Sequence, residues 1–225
     1  AKIIGITAPT AVTSSTDTSV IQLEACVNQE GRAQVRKYEW EVLTKEGSHT
    51  TIAAESQGAV TSIASDWGRF SNNTLWNRTT NRKYYGPISG AEWQQIKAVV
   101  SGGITNYFRI RTGLLLMSPT PTAGESVKFE YLSKNWVDTS GGSTANADKF
   151  SGDSQTTVLE EELIVLGVVW RFLKLKGLPY DVQFMEYQTR MTEYTNQDGA
   201  KPILRMGGPS RAILALNEPE GNFTL

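Results

Sequence analysis

Between Leu159 and Tyr194 the apolar residues repeat at alternating spacings of four and three. Leu159, Leu163, Leu166, Trp170 and Leu173 form one stripe, and Tyr180, Phe184, Tyr187, Met191 and Tyr194 form another beyond a Gly177-Leu178-Pro179 break. This spacing is the seam that one helix lays against another, so the pattern predicts an antiparallel helical hairpin. Thr157 with Glu160 reads as a capping box. Glu160, Glu161 and Glu162 complement the positive end of the helix dipole, and Arg171, Lys174 and Lys176 the negative end. The run from Leu163 to Trp170 is apolar without interruption, more surface than one hairpin partner covers.

The same periodicity predicts a helix starting near Thr16 or Asp17, with Val20, Leu23 and Val27 on its apolar face. Glu30-Gly31 interrupts it, and Val35, Tyr38 and Val42 resume the spacing as a second helix. From Trp67 to Val137 the period changes to two. Phe108 and Ile110 alternate with Arg109 and Arg111, and Val127, Phe129 and Tyr131 with Ser126, Lys128 and Glu130, as half-buried strands require. Ser89 and Glu92 form another capping box, ahead of Trp93, Ile96 and Val100 on a short helix. Pro202, Gly207, Gly208, Pro209 and Pro219 exclude a long regular element near the C-terminus. The expected fold is α+β: a helical bundle of two helix pairs with an inserted antiparallel β-rich subdomain and an extended C-terminal arm. Its divisions are an irregular leader (1–15), a first helix pair (16–48), the β-rich insertion (49–155), a second helix pair (156–197) and the arm (198–225).

Composition narrows the chemistry. The 22 basic and 23 acidic residues give a net charge of -1, so the chain has no electrostatic footprint for gripping phosphates, although such neutrality suits a protein that only surrounds passing DNA. The single cysteine, Cys26, allows no internal disulfide, and with His49 the only histidine, a Cys-His catalytic pair is disfavoured against simple core packing. No phosphate loop, dinucleotide fingerprint or nucleophile elbow occurs, and one His and one Cys make no zinc site. The Glu160–Glu162 cluster reads as helix-dipole complement before acid and base. The expectation is a protein that is not an enzyme and needs no cofactor or metal. The longest apolar run, eight residues, is far too short for a membrane span, and no signal peptide is recognised. Trp67, Trp76, Trp93 and Trp136 lie in or near the β-rich part, so the alternative is a carbohydrate-binding virion or cell-surface module using those aromatics.

Several stretches, in order, carry a resemblance. Leu75-Trp76-Asn77-Arg78-Thr79-Thr80-Asn81-Arg82, then Tyr85-Gly86-Pro87-Ile88-Ser89 with Trp93-Gln94, then Phe129 to Val137, Leu163 to Arg171 and Lys176-Gly177-Leu178-Pro179-Tyr180 together resemble the head-to-tail adaptor (connector) proteins of tailed, mostly short-tailed, bacteriophages. The likeness runs from about Thr16 to Asn196. It implies a structural virion protein at the head–tail junction, assembled in the host cytoplasm as a ring, typically of twelve copies. Its partners would be the portal protein above, the tail nozzle or tube below, and double-stranded DNA passing through the central channel without sequence-specific binding; no membrane is involved. The family offers no catalytic residue to carry over. With the surplus apolar face of the helical hairpin, it puts the subunit or portal interface at Val165, Val168, Val169 and Phe172, and in the arm at Ile203, Leu204, Ile213, Leu214 and Leu216.

Overall fold

A computed structural model describes residue 5 and residues 9–98, 105–142 and 144–199. The arm residues Ile203, Leu204, Ile213, Leu214 and Leu216 lie outside the described residues, as do Val100 and most of the predicted leader before Pro9. The described residues divide into two units, one built from residues up to 44 together with 133–199, the other from residues 45–132.

In the first unit, α1 (Thr18–Lys37) starts at Asp17, whose carboxylate accepts a hydrogen bond from Ser19 N at 2.7 Å. Contrary to the predicted interruption, α1 continues through Glu30-Gly31. A mid-helix glycine costs about 1 kcal/mol in propensity, but here it makes room. A Cβ on Gly31 would sit 2.2 Å from the Trp136 ring, and one on Gly167 would sit 2.2 Å from Cδ of Glu30. The predicted second helix is absent because Tyr38 turns extended and Trp40 folds back, donating from Nε1 to the Gln34 carbonyl at 3.1 Å and so satisfying an end carbonyl of α1. A single 3₁₀ turn, Glu41–Leu43, follows. The remaining helices of this unit, α4 (Glu161–Leu175) and α5 (Asp181–Gln197), carry the two apolar stripes, and α1 packs on α4 beside α5. Their helical bundle is therefore three helices and not two pairs. Glu160 occupies the N-cap of α4 without a side-chain cap bond, and Thr157 Oγ1 accepts from Leu159 N instead, so the capping box predicted there does not form.

In the second unit the chain runs β1 (Thr44–Thr50), β2 (Ser56–Ala59), a single helical turn α2 (Val60–Ile63), β3 (Trp67–Phe70), β4 (Trp76–Asn77), β5 (Arg82–Tyr85), α3 (Gly90–Ala98), β6 (Asn106–Arg111), β7 (Leu114–Ser118) and β8 (Ser126–Ser133). Two short strands, β9 (Val137–Asp138) and β10 (Thr156–Thr157), pair separately in the first unit. The Ser89–Glu92 capping box does form: Ser89 N donates to Glu92 at 2.8 Å and Glu92 N to Ser89 Oγ at 3.3 Å, which holds the Glu92 carboxyl below its ordinary range.

These strands are no small insertion. They make an eight-stranded sheet in the order β1-β8-β4-β5-β6-β7-β2, with β3 joined to β8 off that path. Seven strands abreast would separate β1 from β2 by about 29 Å if flat. Only residues 51–55 connect them, a step of at most about 21 Å. The sheet therefore curls into a half-barrel. The connection is pinned where Thr51 N donates to Glu125 O and Met117 N to Glu55 O, both at 2.8 Å. Neither is the sheet purely antiparallel, since β5 and β6 pair in parallel, Tyr84 opposite Asn106. The capped helix α3 lies between them as the crossover that parallel pairing requires. The predicted fold class is thus corrected: the architecture is mixed α/β with five helices among the described residues, and the large curled sheet stands where a small antiparallel subdomain on a four-helix bundle was expected.

Phe70, Phe108, Phe129 and Tyr131 line the sheet's core, Phe70 lying 4.6 Å from Phe129 between ring centroids. Tyr84 and Tyr131 each have their hydroxyl pushed up to about 12, in both cases first by burial, then by Glu125 beside Tyr84 and by the hydrogen bond to Asp66 at Tyr131. A tyrosine raised in the fold adds stability that is complete below its ordinary value near 10 and is lost as pH rises through the folded value. Urea midpoints should accordingly hold to about pH 10 and fall between about pH 10 and 12. The Tyr84→Phe variant should show a shallower fall, and an unchanged slope would contradict this account.

Candidate interaction surface

The four described residues assigned to an interface divide sharply. Val168, Val169 and Phe172 are buried within their own unit, whereas Val165 is 39% exposed. Val168 and Phe172 join one core with Cys26, Trp40, Leu43, Trp136, Val137 and Met191. The surplus apolar face of α4 is thus largely covered by α1 and by residues 136–159 of the same chain, a supply of partners that the periodicity of α4 alone does not reveal. Val168 and Phe172 face that core, and Val169 is buried as well.

Exposed apolar surface gathers elsewhere, at the turn between α4 and α5. Gly177 takes a left-handed conformation (φ 70°) there, and Leu178 N donates back to Leu173 O at 3.0 Å. Around this closed turn Leu175 and Leu178 are about half exposed, and Val182 and Met185 are 74% and 67% exposed. Val182 and Met185 lie three apart and share one face of α5. At the opposite end of the hairpin, Glu162 accepts from the Tyr194 hydroxyl at 2.5 Å and faces Arg190 at 3.4 Å, so one member of the acidic cluster serves to pin the two helices.

Sequence reasoning missed the polar cluster between the three helices. Glu30, fully buried, accepts from Arg171 Nε at 2.5 Å and from Gln34 Nε2 at 3.0 Å. Tyr187 also bonds to Glu30, and its hydroxyl is pushed up, first by burial and then by the Glu30 charge. A glutamate inside an otherwise helical stretch, followed by glycine, was the available signal. Beside this cluster burial pushes the Cys26 thiol up, with Arg171 opposing, which is the reverse of what a nucleophile needs. His49 contacts Gln57 Oε1 at 3.4 Å.

The aromatics singled out for ligand stacking are mostly interior. Trp93 and Trp136 are buried, and the half-buried Trp76 has Lys83 Nζ 5.8 Å from its ring centroid. The resembling stretch Leu75 to Arg82 builds the β4–β5 hairpin, its turn fixed by Asn77 Oδ1 accepting from Thr79 N at 3.0 Å and Thr80 N at 3.1 Å. Arg78 and Arg82 are exposed around it. Among the described residues no cluster of His, Cys, Asp and Glu is suited to a metal ion, and no helix is long and apolar enough to cross a membrane. No family profile matches the chain, and no curated relative matches it.

Proposed function

We propose that this protein is a head-to-tail adaptor of a tailed bacteriophage, a non-enzymatic ring subunit between the portal and the tail nozzle or tube, with DNA passing through the ring. The observation that carries the reading is the ordered series of resembling stretches, from Leu75-Trp76-Asn77-Arg78 through Phe129 to Val137 and on to Lys176-Gly177-Leu178-Pro179-Tyr180. The exposed apolar residues at the turn, Leu175, Leu178, Val182 and Met185, support contact between copies, since apolar side chains held in water gain from burial against a partner. A net charge of -1 supports a channel that DNA traverses without being held.

The test is native mass measurement and low-resolution imaging of the purified chain, alone and mixed with the portal protein of the same virus. A ring with a central opening in either sample is expected, and a monomer indifferent to portal would overturn the assignment. Val182→Asp/Met185→Asp should weaken assembly at least about tenfold, the equivalent of ~1.4 kcal/mol. Both side chains are largely exposed, so the melting temperature should not move with it. Assembly unaltered by the double substitution would remove the turn from the interface.

A further inference from the structure

The net charge of -1 averages two unlike units. Residues 9–44 and 133–199 hold nine Lys and Arg against fifteen Asp and Glu, whereas residues 45–132 hold nine against six. Such an imbalance between parts of one chain favours a polyanionic partner for the basic part. Within residues 45–132 most carboxylates are already engaged. Asp66 pairs with Lys45, Glu55 with Lys97 and Glu46 with Lys128, Glu92 closes the α3 cap, and Glu125 accepts from Asn77 Nδ2 at 2.6 Å. Arg78 and Arg82 have no carboxylate in ion-pair range among the described residues, and both are exposed, one at each end of the β4–β5 turn. The Glu46 carboxyl is held below its ordinary range first by its hydrogen bond from Lys128 and last by the Arg78 charge, so Arg78 lies near Glu46 without being its partner.

The strand face beside the turn adds to this charge. Leu75 and Tyr84 belong to the sheet's core, so the alternation of β4 and β5 turns Trp76, Lys83 and Tyr85 to the other face. Lys83 Nζ lies 5.8 Å from the Trp76 ring centroid and 5.3 Å from that of Tyr85. An ammonium held over both rings competes with a base or a sugar for the same ring faces, so the aromatics brace a cation here. Guanidinium and ammonium groups presented together suit phosphate oxygens. We infer that the β4–β5 hairpin, through Arg78, Arg82 and Lys83, is a contact site for the phosphate backbone of duplex DNA. The choice of DNA over an acidic protein surface rests on the proposed passage of DNA through a ring. The contact reads no sequence, since it is made to phosphates and not to base edges. Neutralising three phosphates gives a log–log salt slope of about -2.7, and so few contacts let DNA slide past at physiological salt.

The test is fluorescence anisotropy of a labelled duplex of about 30 base pairs with the full-length chain, titrated with salt from about 20 to 200 mM. Wild type should bind saturably at low salt with the slope given above. Arg78→Ala/Arg82→Ala should weaken binding at least about tenfold and flatten the slope by about two. Both side chains are exposed, so circular dichroism and the melting temperature should not change. Lys174→Ala/Lys176→Ala removes the same charge from exposed positions on the other unit and should bind as wild type does. Absence of saturable binding at the lowest salt, equal loss in both double variants, or a single strand of equal length bound more tightly than the duplex would each overturn the inference. So would self-association without DNA that Arg78→Ala/Arg82→Ala abolishes, which would assign the hairpin to the acidic unit of a second copy. The measurement needs no portal. Failure to form a ring would therefore count against the adaptor reading alone, and failure to bind duplex against this site alone.

Discussion

Arg171→Met is expected to lower the unfolding free energy by about 3–5 kcal/mol, because it strands the Glu30 carboxylate in a site with no solvent access. The guanidinium is mostly enclosed as well, its side chain 18% exposed, so solvent screening does little to reduce the loss. The informative comparison is the double variant Glu30→Met/Arg171→Met. Removing both charges cancels the desolvation that the single variant leaves unanswered, and apolar replacements of buried pairs are often neutral or better. Gln34 and Tyr187 would still lose their acceptor, at a cost of about 1–3 kcal/mol. The double variant should therefore be more stable than Arg171→Met despite carrying one more substitution. Urea unfolding of the wild type, both singles and the double gives the coupling directly. Additive losses would mean that the pair is not a linked unit. The same result bears on specificity: Glu30 reaches Arg171 on α4 and Tyr187 on α5, so α1 slipped by one turn would forfeit both partners on the other helices at once.

How much of this was legible in the sequence depends on how local the cause was. The stripes from Leu159 to Tyr194 depend on neighbours three and four residues apart, and α4 and α5 lie where those stripes run. The Ser89–Glu92 cap and the alternation at Phe108 and Phe129 are equally local, and they too are found in place. What depended on distant partners was not legible. Tyr38 and Val42 continue a helical spacing, yet Trp40 turns back to the Gln34 carbonyl and releases the chain into β1. Gly31 reads as a break until the Trp136 ring is seen against it, more than a hundred residues later in the chain. The parallel β5–β6 pairing leaves no mark on either strand's own alternation; the only hint was the helix between them. The surplus read on α4 has the same origin. Val168, Val169 and Phe172 look surplus when α4 is weighed against α5 alone, yet all three are buried, and Val168 and Phe172 pack with Cys26 of α1 and with Trp136, Val137 and Leu159.

Trp136→Ala should cost about 3–5 kcal/mol, the range for emptying a fully buried aromatic position. The ring is fixed on several sides. Its Nε1 donates to Asp148 O at 2.8 Å, Phe150 meets it edge-on at 5.1 Å, and Gly31 lets it lie flat against the backbone of α1. Gly31→Ala in the wild-type background sets two effects against each other. Helix propensity favours alanine by about 1 kcal/mol, while a methyl group driven into a ring that cannot retreat costs about 1–3 kcal/mol. The clash wins, because a Cβ at 2.2 Å is far inside contact distance and the indole is held by its hydrogen bond. In the Trp136→Ala background the obstacle is gone and only propensity remains, so the same Gly31→Ala substitution should become stabilising by up to about 1 kcal/mol. A thermodynamic cycle by urea denaturation measures both signs. If Gly31→Ala is destabilising to the same degree in both backgrounds, the glycine is required by something other than the approach of Trp136, and the account of why α1 carries a glycine at its centre fails.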